Sequence, residues 1–178
     1  MLGRSLFILA FVGISVAGSA AGQVKILLQI DDIGGSSILK GYEGAIEAST
    51  LSWGAINDSA PTSGGAQAGR VQFTGISFTK PMDSASPLLL QGLTTGRTIP
   101  TVTIRYVITT GDGTQEFSTM TLQDVTLTSQ QVSASSELPA EAISLKFRRI
   151  QWEVCSFDAT GARSGCNTST WDITKNGP

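Results

Sequence analysis

Residues 70–104 read RVQFTGISFTKPMDSASPLLLQGLTTGRTIPTVTI, and this stretch decides the fold. Val71 and Phe73 share one face of a two-residue alternation, and Ile76 and Phe78 share one face of another, the pattern of a half-buried strand. The parity slips between the pairs, at Gly75. A bulge there keeps both apolar pairs inward, and glycine is the residue that tolerates one. Pro81 has no backbone donor and ends the strand. Ser86, Pro87 and the run Leu88, Leu89, Leu90 follow: an N-cap serine, proline at the first helical position, then a short helix that Gly96 stops. A helix of about two to three turns does not persist alone in water. It must therefore plug something, and the open side of a β-sheet or barrel is the simplest candidate.

The flanking sequence supplies the strands. Val24, Ile26, Leu28 and Ile30 alternate with Lys25, Leu27, Gln29 and Asp31. Asp31 and Asp32 then enter a glycine-rich turn. They lack the alternating oxygen ligands and closing glutamate of a calcium loop, so a solvated turn is expected. Residues 42–53 read as a second strand, with Ile46, Ala48, Thr50 and Ser52 on one face and Glu47, Ser49, Leu51 and Trp53 on the other. Small residues on the first face suit packing under a neighbouring strand. Residues 57–69 are Gly, Ser, Ala and Pro without periodicity, a loop too long for a plain connection. Its Gly64-Gly65 pair is no phosphate cradle, because no Lys-Ser/Thr pair follows and a strand comes next.

Residues 101–108 alternate cleanly, Gly111-Asp112-Gly113 turns a hairpin, and Phe117, Met120, Leu122, Val125 and Leu127 form a returning strand with two parity slips. Slipped long strands suit a curved, bulged sheet such as a small barrel needs. Residues 129–139 are polar and read as a turn or excursion. Ile143, Leu145 and Phe147 alternate next, and the apolar face flips across Arg148-Arg149 to Ile150, Trp152 and Val154. Those two arginines are expected as rim charges. Cys155 and Cys166 are equidistant from Thr160-Gly161. If that dipeptide is the turn, the cysteines oppose each other and Asp158 faces Arg163. An opposed pair reaches disulfide distance, the alternative being two free thiols. Asn167-Thr168-Ser169 fits a glycosylation sequon, a short pattern of little specificity.

Residues 1–22 read as a secretory signal peptide: Arg4 as the charge, an apolar core, and Gly18-Ser19-Ala20-Ala21-Gly22 as a small-residue exit. Residues 23–178 are then one mature domain, secreted or periplasmic, in a compartment where disulfides persist. No later apolar run is long enough for a membrane span. Charged residues are only 15% of the chain and nearly balanced, which gives no electrostatic case for nucleic acid. There is no histidine, so the commonest general base and metal ligand are missing. Two thiols alone make no metal site, no nucleophile has a base beside it, and the carboxylates Asp31, Asp32, Glu137 and Glu141 are expected in solvated turns. No enzyme activity and no cofactor are therefore expected.

Several short motifs carry a resemblance. Ser52-Trp53-Gly54, Ser77-Phe78-Thr79-Lys80, Ser86-Pro87-Leu88, Gly96-Arg97 with Ile99-Pro100, Ile143-Ser144-Leu145-Lys146-Phe147 and Trp171-Asp172-Ile173 follow in the order seen in the haemolysin-coregulated protein (Hcp) family, the tube proteins of type VI secretion, which this chain resembles over roughly residues 24–175. The resemblance implies a mainly β protomer, an Hcp-like barrel of two curved antiparallel sheets with one short α-helix. It also implies self-association into a homohexameric ring, stacking into tubes, and small cargo proteins in the lumen. It would turn Ser52 toward that lumen and send the loop bearing Asn57, Asp58, Ser59, Pro61 and Thr62 across to the next ring or subunit. The family as a rule lacks the cysteine pair. The signal peptide also departs from it, since a type VI tube is loaded from the cytoplasm. The expected protein is an exported, non-enzymatic Hcp-like tube subunit. The alternative is a secreted monomeric β-domain that binds a ligand or glycan through tryptophans such as Trp53 and Trp171.

Overall fold

The computed structural model describes residues 23–57, 70–110, 113–134, 138–158 and 163–178. The signal segment, Asp58, Ser59, Pro61 and Thr62 of the long loop, Glu137, and the Thr160-Gly161 turn lie outside the described residues.

Nine strands and one helix are described: β1 (Gln23–Ile30), β2 (Ile46–Ala48), β3 (Thr50–Asn57), β4 (Val71–Pro81), α1 (Ser86–Thr95), β5 (Thr98–Thr110), β6 (Gly113–Ser133), β7 (Ala140–Lys146), β8 (Arg149–Phe157) and β9 (Arg163–Asp172). All pairings are antiparallel, in the order β2-β1-β5-β6-β7-β4-β3, with the β8–β9 hairpin attached to β6. The two ends of that order, β2 and β3, are consecutive in the chain. The expected single strand over residues 42–53 is thus two strands broken at Ser49, whose N–H donates to Thr79 O at 2.8 Å. Ile26 pairs with Ala48 on one side of the break, and Thr50 pairs with Thr79 on the other. The bend carries the chain from one edge of the curled sheet to the other and closes the barrel.

The break also flips the faces. Ile46 is fully buried, but beyond Ser49 it is Leu51 and Trp53 that pack on the core, while Thr50 and Ser52 are exposed. The Gly75 bulge is present: Trp53 opposes Ile76 and Ala55 opposes Phe73, so Thr74 and Gly75 share one partner position. Gly75 takes φ +81°, and a Cβ there would lie 2.9 Å from Leu145 O. Both slips of the returning strand are real. The first is a register shift opposite Tyr106 and Val107. The second is Asp124, at φ 51°, where β6 stops pairing with β8 at Gln123 and begins pairing with β7 at Thr126. That change of partner needs a longer strand than the sequence suggests. β6 runs on through Ser133, over part of the expected polar turn. Likewise Asn57 is no loop residue but the last residue of β3, paired with Val71.

The main core cluster is fed by β1, β2, β4, β5, β6, β7 and β8, with Leu89 of α1 completely buried in it, and a smaller cluster gathers Leu27, Ala45 and Val107. α1 leans on β6, where a Cβ on Gly92 would come within 3.1 Å of Leu127. Its end is as expected: Gly96 is left-handed at φ 63°, and Arg97 N–H closes the helix on Gly92 O at 3.1 Å. Its start differs. Ala85 is the N-cap, and Ser86 is already helical. The Ser86 hydroxyl instead accepts hydrogen bonds from the Asp83 N–H and from Lys80 Nζ, both at 3.0 Å.

Candidate functional site: a hydroxyl-lined sheet face

The strands β3, β4, β7 and the second half of β6 form a four-stranded surface whose inner residues, among them Leu51, Phe78, Ile143 and Leu145, belong to the core. Because side chains alternate along a strand, the residues between them must face outward together. The register aligns them in rows. Thr50 opposes Thr79, which opposes Ala142, which opposes Gln131. Two residues further along, Ser52 opposes Ser77, which opposes Ser144, which opposes Ser129. The hydroxyls bond one another: Thr50 Oγ1 to Thr79 Oγ1 at 2.7 Å, and Ser77 Oγ to Ser144 Oγ at 2.9 Å. The two rows line a shallow depression of about 240 Å³ with no charged residue in its wall among the described residues. Ser52 is therefore part of an open polar face and does not pack beneath a neighbour. Each strand alone shows only an unremarkable serine or threonine; the rows exist only once register is known.

This sheet has two free edges among the described residues. β3 pairs only with β4. Along β6, no strand lies opposite β7 beyond Thr126, where pairing with β5 ends. β3 has no charge and no proline, the usual guards of an exposed edge. A third free edge is β9, whose residues 163–170 are all exposed.

Behind the face lies a buried ionic cluster that sequence reading missed. Lys80 is 1% exposed. Its Nζ lies 2.6 Å from Asp83 Oδ1, 3.1 Å from Glu141 Oε2, 2.9 Å from Pro81 O and 3.0 Å from Ser86 Oγ. Glu141, expected in a solvated turn, is in β7 and 1% exposed. Gln130 of β6 donates to Ser86 O at 3.2 Å, so the cluster ties β4, α1, β7 and β6 together. The signal for it was present as Lys80, Asp83 and Ser86 at three-residue steps, but nothing local marks Glu141 as their partner.

The remaining candidates resolve into structure. Arg148 lies 3.5 Å from Asp124, and Arg149 Nε donates to Asp172 at 2.8 Å, so both arginines are rim charges with partners. Asp172 also accepts from the Thr174 hydroxyl at 2.6 Å; that bond first, and Arg149 second, hold its carboxyl well below the ordinary carboxylate range. Asp32 pairs with Arg97 at 2.6 Å. Trp53 and Trp171 are half-buried against the core, and Trp53 meets Trp152 edge-on at 5.2 Å. Cys155 and Cys166 are directly opposed and disulfide-bonded. A register shift after Ser156 sets Arg163 opposite Phe157 and not opposite Asp158. Its guanidinium turns back on Glu153 at 2.9 Å and on both sulfurs. Glu153, Cys155 and Cys166 thus converge as metal ligands would, but Arg163 already supplies the positive charge there and the sulfurs are bonded to each other.

Residues 27–154 match the family model described as "Type VI secretion system effector, Hcp". Among solved structures, one described as a type six secretion system protein superposes with a TM-score of 0.79 at 25% identity, covering 86% of this chain and 98% of that one. Hcp1 from Salmonella typhimurium gives 0.71 at 24% identity, covering 86% and 97%. The secreted protein Hcp3 from Pseudomonas aeruginosa gives 0.59 at 19%, covering 85% and 98%. No curated protein matches.

Proposed function

The chain belongs to the Hcp family of type VI secretion, and from that premise we propose that it is a non-enzymatic tube subunit, whose function is to bind copies of itself. The observation that carries the reading is the hydroxyl-lined face. A conduit wall should be polar enough to stay wet and free of charges that would hold cargo. The rows from Thr50 to Gln131 and from Ser52 to Ser129 have that character. The free edges supply the joint. If the open edge of β3 pairs with the open edge of β6 on the next copy, the contact is head-to-tail, and head-to-tail contacts close into rings or run on as filaments. In a homohexamer the four-stranded faces would make a continuous wall of about 24 strands. At a spacing of about 4.8 Å its circumference is about 115 Å and its bore about 37 Å between backbones, before tilt widens it. That bore admits small folded cargo proteins. Rings that stack would use Asn57 at the end of β3 and the loop bearing Asp58, Ser59, Pro61 and Thr62 as their contact.

The order of charge, apolar core and small residues over residues 1–22 supports export of the subunit before it assembles, with assembly outside the inner membrane. Electron microscopy of the oxidised chain from Gln23 onward tests the proposal. Rings with a central hole are expected, and tubes at higher concentration. A particle that sediments as a monomer at every concentration would overturn it.

A further inference from the structure

The disulfide has two unlike sulfurs. Cys155 is on β8, 6% exposed, next to Val154, which pairs with Ser118 of β6. Cys166 is on β9, an exposed residue on an edge strand that pairs with nothing on its far side among the described residues. Arg163 reaches both sulfurs, with the closer contact to Cys155 and 3.3 Å to Cys166. Its charge is partly balanced by Glu153, which also accepts from Thr168 at 3.3 Å and so is held in place.

Thiol–disulfide exchange depends on which sulfur the incoming thiolate can reach and on how well the departing sulfur bears negative charge. Here exposure and charge select opposite atoms. Access favours attack at Cys166. The guanidinium against Cys155 favours departure of Cys155, since a neighbouring arginine lowers a thiol's pKa. We propose that the Cys155–Cys166 bond is a directional exchange site for small thiols. In the first step an external thiolate forms a bond to Cys166 Sγ as the Cys155–Cys166 bond breaks, and the electron pair of the broken bond leaves on Cys155 Sγ, held by Arg163. In the second step another thiolate attacks the external sulfur of the adduct and releases Cys166 as thiolate. Two thiols have then become one small disulfide, and the protein has gained a dithiol. This untethers β9, the outermost strand. The inference stands on the hairpin alone and is independent of whether copies assemble.

The test uses the oxidised chain with reduced glutathione. Samples are quenched at early times, blocked with N-ethylmaleimide and cleaved after Phe157, which separates the two cysteines. The glutathione adduct is expected on Cys166 and the maleimide on Cys155. Arg163→Gln should slow adduct formation about three- to tenfold, as expected for losing a charge that stabilises the leaving thiolate. Arg163→Lys, which keeps the charge, should restore most of the rate. Both variants lie at an exposed hairpin end, and circular dichroism checks that they fold. An adduct mainly on Cys155, an even mixture, no adduct at all, or an Arg163→Gln variant that exchanges at the parental rate would each overturn the proposal.

Discussion

Replacing Lys80 by methionine removes the cation that two carboxylates share. Asp83 keeps other partners: it accepts from Ala85 N–H at 3.0 Å and from the Ser36 hydroxyl at 3.3 Å, and its side chain is 12% exposed. Among the described residues, Glu141 keeps almost nothing. Its side chain is 1% exposed, and its remaining polar neighbour is Gln130 Nε2 at 3.5 Å. A carboxylate buried without its cation typically costs about 3–5 kcal/mol, far more than the lost attraction of a surface pair. Methionine nearly fills the space of the lysine stem, so the cost is electrostatic and not a cavity. For a domain of this size, about 4 kcal/mol lowers the melting temperature by roughly 8–16 °C.

The control is the pair. Lys80→Met with Glu141→Leu removes both charges of that pair and should recover most of the loss, because a buried ion pair is often no more stable than the apolar packing that replaces it, and Asp83 keeps its other partners. Urea denaturation of the four proteins, followed by tryptophan fluorescence, gives the coupling as a double-mutant cycle. If Lys80→Met alone proves neutral, or the double variant is worse than the single, the cluster does not work as described.

Gly75→Ala should destabilise by about 2 kcal/mol, from a left-handed backbone and a Cβ pressed on Leu145 O, read in the same urea titration. Asp172, with its lowered carboxyl pKa, should contribute stability that is whole above the unfolded titration near pH 4 and fades as pH falls through the lower folded value; Asp172→Asn should flatten that part of the stability–pH curve. Ser144→Cys should label with N-ethylmaleimide in every state, but with a bulky polymer maleimide only when rings are dissociated; equal labelling of assembled material would place the serine row outside the bore. Ile56→Lys puts a charge on the unguarded β3 strand and should shift sedimentation toward monomer while costing no more than about 1 kcal/mol of stability in urea denaturation.

What sequence could reveal here was whatever one strand or one turn determines. Val71, Phe73, Ile76 and Phe78 required the slip at Gly75, because no unbulged strand buries all four. Gly96 ended α1 for a reason contained in its own backbone. Cys155 and Cys166 were placed opposite each other by counting from one turn, yet the same count misplaced Arg163, because a single extra residue past Ser156 moves every later partner. Ser86 illustrates the same limit. As an N-cap it would serve the helix alone; in the structure its hydroxyl answers to Lys80, a residue of the preceding strand.

Interactions that need three or more elements left at most a partial local trace. Ser52, Ser77, Ser144 and Ser129 come from four strands; the register shift between Leu127 and Ser129 brings the last of them into the row, and the bulge at Gly75 keeps Phe73 on the core side while Ser77 faces outward. The irregularities that make the strands hard to read are therefore the devices that compose the face. Without the Gly75 bulge, the residues of β4 before it would exchange faces and the apolar pair Val71 and Phe73 would turn outward. The lining and the core are thus specified together: a substitution that straightens β4 should damage stability and assembly at once, whereas one confined to the serine row should leave folding intact and change only what the wall presents.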